Sequence, residues 1–269
     1  MSHPADRPAS DDHAGAPPSL PFDRVADLYD ETRGGEERGR RFAAELHEVL
    51  DPTVLTLEVG VGTGVVAKGL VALGHRVVGV DLSEPMARSA RDRVGPRVAL
   101  GDATRLPVRS RALGQVYAVW VLHVVGDQLG MLREVERVLA PGGRFVVLPA
   151  LGPRPSDPLG SLVWDMDRRL DPGGRRHDDP DHLERLAPHA GLRVLAARPL
   201  TAVGYLEAPA DVVRKLELRS YSSLWTVDDV RWKEIVEPTL AAVRALPDQG
   251  TLIQRFAHNS LVILERTEP

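Results

Sequence analysis

The chain has no cysteine among its 269 residues. Disulfides, thiolate metal sites and cysteine nucleophiles are thereby excluded. Aromatic residues are scarce, at 4%, whereas hydrophobic residues as a whole reach 43%. A sizeable core is within reach, but it has to be built from Val, Leu and Ala. No apolar run approaches the length that crosses a membrane, and no basic segment followed by an apolar stretch opens the sequence. A soluble, cytoplasmic protein is the expectation. Positive charge is not in excess either, with a formal net charge of −4. Nucleic-acid binders carry a basic face, so no nucleic-acid partner is expected. The local cluster Arg38, Arg40 and Arg41 is matched by Glu36, Glu37 and Glu45 and reads as a solvated helix face.

What the chain does have is the stretch LTLEVGVGTGVVA, Leu55–Ala67. An apolar run carrying one carboxylate, Glu58, leads into glycines at alternate positions, Gly60, Gly62 and Gly64. Helix-like spacing of Val65, Val66, Leu70 and Leu73 follows. Strand, glycine turn, helix is the local plan of a nucleotide-binding α/β unit. Glycine allows positive φ in the turn and removes the Cβ that would hold a ligand off the backbone. A second apolar run, Arg76–Val80, ends in Asp81, about 20 residues beyond the glycines, where such folds place the acid that accepts from ribose hydroxyls. The pattern is E-x-G-x-G-x-G, not the G-x-G-x-x-G whose helix N-terminus meets a pyrophosphate. An acid before the first glycine and no basic residue in the turn suit a cationic nucleoside without phosphates.

Along the chain, Met1–Pro21 has almost no large apolar side chains and is expected to be a disordered tail. Residues 22–269 read as one domain, with N-terminal helices over 22–53, a cofactor-binding half over 54–150, lid and acceptor-binding elements over 151–250 and a closing strand within 251–269. Gly34 and Gly35 interrupt the N-terminal helices, and Asp51-Pro52 stops them. From Val54 to Leu148 strands and helices alternate, which implies a parallel sheet with helices on both faces. Strands are expected at Val54–Val59, Arg76–Val80, Val98–Leu100, Val116–Leu122 and Arg144–Leu148. Helices are expected near Val65–Leu73, Glu84–Val94 and Gln128–Leu139. Gly74 is placed to cap the first of these and Ser83 to open the second. Pro141-Gly142-Gly143 reads as a turn before the fifth strand. Gly152–Pro180 is broken up by Pro and Gly and reads as an insertion over the ligand edge, with a helix at Leu159–Leu170. Beyond it a helix at Leu183–Ala190, a sixth strand at Leu192–Leu200, helices at Ala210–Leu218 and Val227–Leu246, and a strand at Ser260–Leu264 complete the reading.

LEVGVGTG, VVGVDLSEPM, GDATRLP and EVERVLAPGGRFVV, in that order and at those distances, resemble the successive motifs of class I S-adenosylmethionine-dependent methyltransferases. The similarity covers Phe22–Leu148 and is nearest in character to the small-molecule branch that includes the ubiquinone and menaquinone biosynthesis enzymes. The resemblance implies a Rossmann-like doubly wound, mostly parallel seven-stranded α/β sheet with an antiparallel last strand, and helical lid elements. It implies S-adenosyl-L-methionine as cofactor. Gly60 and Gly62 would let the backbone approach its methionine and ribose parts. Asp81 would hold the ribose hydroxyls, with Leu82 and Met86 against adenine. Asp102 and Ala103 would meet the adenine edge. Val119 and Trp120 would flank the methionine portion, and Tyr29 and Arg33 would close over it, Arg33 pairing with the carboxylate. In place of the aromatic–Asp pair that usually opens the fourth strand, this chain has Gly114-Gln115, so strand anchoring there is expected to differ.

A sulfonium methyl is already electrophilic, so the protein mainly has to align the reactants and exclude water. Where a base is required, His123 in VWVLHVVGD is the candidate by position, set against a structural reading of the same residue. His258 and Tyr205 are further candidates. Trp164, Tyr205 and Trp225, with Trp232, lie outside the nucleotide half. They point to a hydrophobic or aromatic small-molecule acceptor, although core packing explains each singly. HDDPDH at His177–His182 has a metal-like composition but no ligand spacing, and reads as a solvated turn. No metal and no membrane partner are expected, and the chain is read as a monomer or homodimer. Two rivals stand beside methyl transfer: a non-methylating enzyme or binding protein on the same fold, for example a cyclase, and a nicotinamide-dependent oxidoreductase, which the glycine spacing disfavours.

Overall fold

The computed structural model describes residues 26–150, 155, 157–173, 178–200, 203–257 and 260–267. The tail Met1–Pro21 expected to be disordered, and the candidate His258, lie outside the described residues. Seven strands form one sheet in the order β3-β2-β1-β4-β5-β9-β6. They are β1 Leu55–Val59, β2 Arg76–Asp81, β3 Val98–Leu100, β4 Leu113–Val119, β5 Leu139–Leu148, β6 Leu192–Pro199 and β9 Ser260–Arg266. Pairing through β1 to β5 is parallel, and β9 inserts antiparallel between β5 and β6. The sheet is the doubly wound, mostly parallel one that the motifs imply.

Side chains alternate across it. Val116, Ala118, Phe145 and Val147 face one buried cluster, with α5 (Gln128–Val138) and α7 (Pro180–Leu186) packed on it. Tyr117, Val146 and Leu148 face the other, covered by α2 (Gly35–His47), α3 (Val65–Ala72) and α4 (Glu84–Val94). That period of two, buried on both faces, is why these strands read as continuous apolar runs. Apart from Phe42, Tyr117 and Phe145, the two clusters consist of aliphatic side chains and Met131, as the scarcity of aromatics requires.

Helix ends follow their local chemistry. Ser83 accepts from the Met86 N–H and opens α4. Gly74 (φ 90°) closes α3: its N–H reaches the Val71 carbonyl and that of His75 reaches Leu70, the paired bonds of a left-handed C-terminal cap. Gln115 replaces the expected strand anchor. Its amide accepts from the Asp51 N–H at 2.7 Å and donates to the Asp51 carbonyl at 3.0 Å and to Thr56 Oγ1 at 3.2 Å.

Three expectations need correction, and one element was not foreseen. The fourth strand ends at Val119, not Leu122, because Trp120 takes positive φ (56°) and residues Leu122–Val124 coil into a 3-10 turn. Its apolar run continues because Leu122 enters the core. Pro141-Gly142-Gly143 does not precede β5 but lies within it as a bulge: pairing jumps from Leu113–Leu139 to Gln115–Arg144, with Gly142 at φ 68°. A two-stranded sheet, β7 (Val203–Glu207) with β8 (Ile253–Ala257), was not expected. The single helix expected over Val227–Leu246 is instead α9 (Asp229–Arg231), a π turn (Trp232–Val236) and α10 (Glu237–Arg244). Pro238 has no N–H for the Glu234 carbonyl four residues back, and Arg169 Nη2 supplies the donor at 2.9 Å. The remaining α-helices among the described residues are α1 (Ala26–Arg33), α6 (Pro158–Leu170) and α8 (Pro209–Glu217). Leu159, Met166, Val212, Leu216, Leu240 and Val243 form a third cluster among α6, α8 and α10.

Candidate functional site

Strand order reverses between β1 and β4, and at such a switch point the loops beyond the strand ends part to leave a crevice. The glycine turn sits there. Gly60, Gly62 and Gly64 all have positive φ, at 70°, 55° and 81°, but each lacks a side chain for a different reason. A Cβ on Gly60 would come within 2.4 Å of Val121 Cγ2, and one on Gly64 within 2.9 Å of Ala90 Cα. Gly62 would meet nothing within 4 Å. Two glycines therefore serve packing, and Gly62 presents bare backbone to the crevice.

Asp81 ends β2 and ties the turn together. Its Oδ2 accepts from the Gly62 N–H at 2.7 Å and its Oδ1 from the Ser83 N–H at 2.9 Å. A carboxylate oxygen can accept more than one hydrogen bond, which is the chemistry a pair of sugar hydroxyls calls for. Leu82 beside it is 52% exposed, an open apolar surface at the crevice rim. Met86 is buried at 1% and stands inside the protein beneath that rim. In GDATRLP, Asp102 Oδ1 accepts from the N–H and hydroxyl of Thr104, and the Gly101 N–H bonds the Asp81 carbonyl at 2.8 Å. Glu134 accepts from the Leu106 N–H while Arg137 donates to the Leu106 and Val108 carbonyls. The loop holding Asp102 and half-buried Ala103 is thus fastened to α5.

Deeper in, Tyr29, Arg38, Glu58, Gly60, Gly62, Val119 and Trp120 line one cavity. It is small, about 30 Å³, room for a water or two and far less than a nucleoside. Arg38 is not on a solvated face, as its neighbours Arg40 and Arg41 are with Glu37. Its guanidinium stacks on the rings of Trp120 (4.8 Å) and Tyr29 (5.4 Å). Arg38 Nε, Arg38 Nη1 and Trp120 Nε1 are buried with no acceptor. Burial, followed by repulsion from Arg33, pulls this guanidinium below the ordinary arginine range, while Tyr29 and Asp30 oppose the shift. Glu58 faces it from β1, accepting from the Tyr117 hydroxyl at 2.7 Å. Burial raises the Glu58 carboxyl to about 8; Asp81 adds to the rise, and the Tyr117 bond and Arg38 hold it back. Three buried donors without an acceptor, opposite a carboxyl group, have the chemistry to hold an amino-acid zwitterion. Sequence reasoning missed Arg38 and Glu58 as a pair. The local signal was that Glu36 and Glu37 are taken up by Lys68, Arg40 and Arg41, which leaves Arg38 out of the surface pairing.

The N-terminal helix closes the cavity through Asp30. Its oxygens accept from Thr63 Oγ1 and Arg93 Nη2, each at 2.6 Å, and Arg93 also donates to the Thr63 carbonyl. Tyr29 is thereby held over the glycine turn. Arg33, expected beside it, instead donates to the Ser220 carbonyl and stacks on Tyr221, so the structure does not bring it to the cavity.

His123 stands on the 3-10 turn after β4, beyond the same strand ends. HDDPDH is not the solvated turn expected: Asp178 is fully buried, Asp179 caps α7 through the His182 N–H, and His182 Nε2 meets Gln128 Oε1 at 2.7 Å. Among the described residues no cluster suits a metal. Trp164 stacks on Arg168, and Trp225 donates to the Arg219 carbonyl; neither lines the cavity. Tyr205 falls on β7, and its side chain lies outside the described residues.

A family model described as a methyltransferase domain matches residues 57–147. A demethylmenaquinone methyltransferase of Mycolicibacterium vanbaalenii is 38% identical over 130 residues, 47% of this chain and 57% of that protein. The chain spans a little over half the length of the curated relatives it matches. In fold it is similar to an S-adenosylmethionine-dependent methyltransferase from Thermotoga maritima (TM-score 0.55, 20% identity, 92% of this chain and 98% of that one). It is also similar to phosphoethanolamine N-methyltransferase 2 of Haemonchus contortus in complex with S-adenosyl-L-methionine (TM-score 0.51, 15% identity, 94% and 61%). The fold is that of the Rossmann-like methyltransferases, and the chain resembles their class I, S-adenosylmethionine-dependent members. No helix among the described residues is long and apolar enough to cross a membrane.

Proposed function

We propose, from the premise that residues 57–147 form a methyltransferase domain on a methyltransferase fold, that this chain transfers the methyl group of S-adenosyl-L-methionine to a small apolar or aromatic acceptor. When bound, the cofactor supplies a methyl group activated by its sulfonium. The observation that carries the reading is the cavity where the unpartnered donors of Arg38 and Trp120 face Glu58 across bare glycine backbone. A methionine carboxylate satisfies those donors, and its ammonium suits Glu58. Asp81 is the acceptor for ribose hydroxyls, exposed Leu82 is an apolar seat for adenine, and the Asp102–Ala103 loop meets the base edge. What remains for the protein is to orient, to exclude water and to position an acceptor beyond the ends of β4 and β5. Trp164, Tyr205 and Trp225 stay as candidates for the acceptor side. A monomer or homodimer acting in the cytoplasm on a small molecule, without nucleic acid or membrane, completes the reading.

Isothermal calorimetry tests it. Wild-type chain is expected to bind S-adenosyl-L-methionine, and not a nicotinamide dinucleotide. Asp81→Ala is expected to weaken binding by at least about tenfold, since a half-buried charged acceptor for two hydroxyls is lost. Wild-type affinity in that variant would remove the site assignment. Label from a tritiated methyl donor appearing in product separates methyl transfer from cyclisation or mere binding.

A further inference from the structure

The segment between α6 and α7 sends one carboxylate into the protein. Asp178 is 0% exposed. Its Oδ2 accepts from the Ala150 N–H at 2.9 Å, just past the end of β5. The same oxygen lies 3.7 Å from His123 Nδ1, just past the end of β4. That separation is ion-pair contact rather than a formed hydrogen bond, and base–carboxylate contacts commonly tighten only when substrate is bound. The His123 side chain keeps 12% exposure, so the ring meets solvent beyond the end of β4 while its partner does not. A second network fixes the turn that bears it: His182 on α7 meets Gln128, and Gln128 Nε2 donates to the Leu122 carbonyl at 2.9 Å. Asp178 and, through Gln128, His182 are the ionisable groups these contacts set around the ring. A buried carboxylate is costly without a partner that offsets its desolvation. One turned toward an imidazole at the rim of a catalytic crevice orients that imidazole and stabilises its protonated form.

We propose that His123 is the general base of this chain, that Asp178 is its positioning residue, and that the acceptor is a hydroxyl compound, phenol or enol, whose proton has to leave. The inference rests on the methyl-transfer reading above. With Nδ1–H directed at Asp178, Nε2 at the opposite edge of the ring takes the acceptor proton. The acceptor oxygen forms its bond to the methyl carbon as the carbon–sulfur bond breaks. The electron pair of that bond stays on sulfur as a neutral thioether, and the imidazolium returns its proton to water.

Two measurements on the full-length chain test this. In the first, histidine ring signals are followed by NMR across a pH series in wild type, His123→Asn (to assign the resonance) and Asp178→Asn. The Asn side chain keeps an oxygen for the Ala150 N–H. Removing the carboxylate is expected to make His123 titrate about 1 pH unit lower, since a neighbouring opposite charge raises an imidazole. Titration at the wild-type pH in Asp178→Asn overturns the pairing. In the second, methyl-labelled S-adenosyl-L-methionine is offered with hydroquinone, catechol and 2-naphthol, and with aniline as counterpart. Label is expected in an ether. His123→Asn is expected to lower kcat by about 100-fold or more with calorimetric cofactor affinity unchanged. Label in none of the hydroxyl acceptors, or full turnover in His123→Asn, overturns the proposal. Failure of the wild type to bind the cofactor at all is a separate result that removes the underlying reading instead.

Discussion

At the scale of single residues, the cavity assigns opposite roles to two arginines that look alike in sequence. Arg38 offers unpartnered buried donors, and Arg33 is occupied by Ser220 and Tyr221. Arg38→Ala is expected to weaken S-adenosyl-L-methionine by about tenfold, the worth of charge-assisted bonds, and to leave decarboxylated S-adenosylmethionine nearly unaffected. Arg33→Ala is expected to change neither by more than roughly twofold, as for a surface contact. Paired calorimetry of the two ligands distinguishes them. Glu58 gives a pH signature. It holds its proton to about 8 in the folded chain against an ordinary value of 4.5, so the folded state binds more protons across that window. Its contribution to stability is complete below about 4.5 and is lost as pH rises through about 8. The difference in urea midpoint between wild type and Glu58→Gln is expected to shrink or reverse over that range. The spacing of Glu58, Asp81 and the glycines was legible because backbone geometry sets it, although no role for Glu58 followed from it. Arg38 was not, because a cation stacked between two rings depends on Tyr29 and Trp120 arriving from distant parts of the chain. Asp178 was hidden for the same reason: one buried carboxylate in an acidic run looks like its solvated neighbours.

At the scale of elements, α1 is fastened to the glycine turn by Asp30. Asp30→Ala removes the acceptor of both Thr63 and Arg93. Amide exchange in residues 29–33 is expected to quicken by about tenfold, in line with one or two lost charge-assisted bonds, with the sheet unaffected. Exchange mass spectrometry reads both at once. Elements carried by strong periodicity and local caps were legible: α4 begins and ends where Ser83 and the periodic run place it. The failures share a cause. The end of β4, the bulge in β5 and the π turn before Pro238 are set by a strained φ, a register shift and a long-range donor from Arg169. None of these leaves a mark in local periodicity. The β7–β8 pair comes from two short runs far apart in sequence.

At the scale of the whole molecule, the two clusters flanking the sheet share no residue with the third, among α6, α8 and α10. Leu216→Ala, in the middle of that third cluster and fully buried, is expected to cost about 2–5 kcal/mol. S-adenosyl-L-methionine affinity below the melting temperature is expected to stay within roughly twofold of wild type. A thermal scan beside calorimetry checks both. The side chains proposed to grip the methyl donor all fall between Tyr29 and Trp120, upstream of every helix in that outer assembly. α7 is the exception to the division, because Leu183 packs under the sheet. Such a layout works like a tool handle with an exchangeable head. Grafting foreign counterparts of α6, α8 and α10 onto this frame would pass on a finished donor grip and leave the choice of guest to be rewritten.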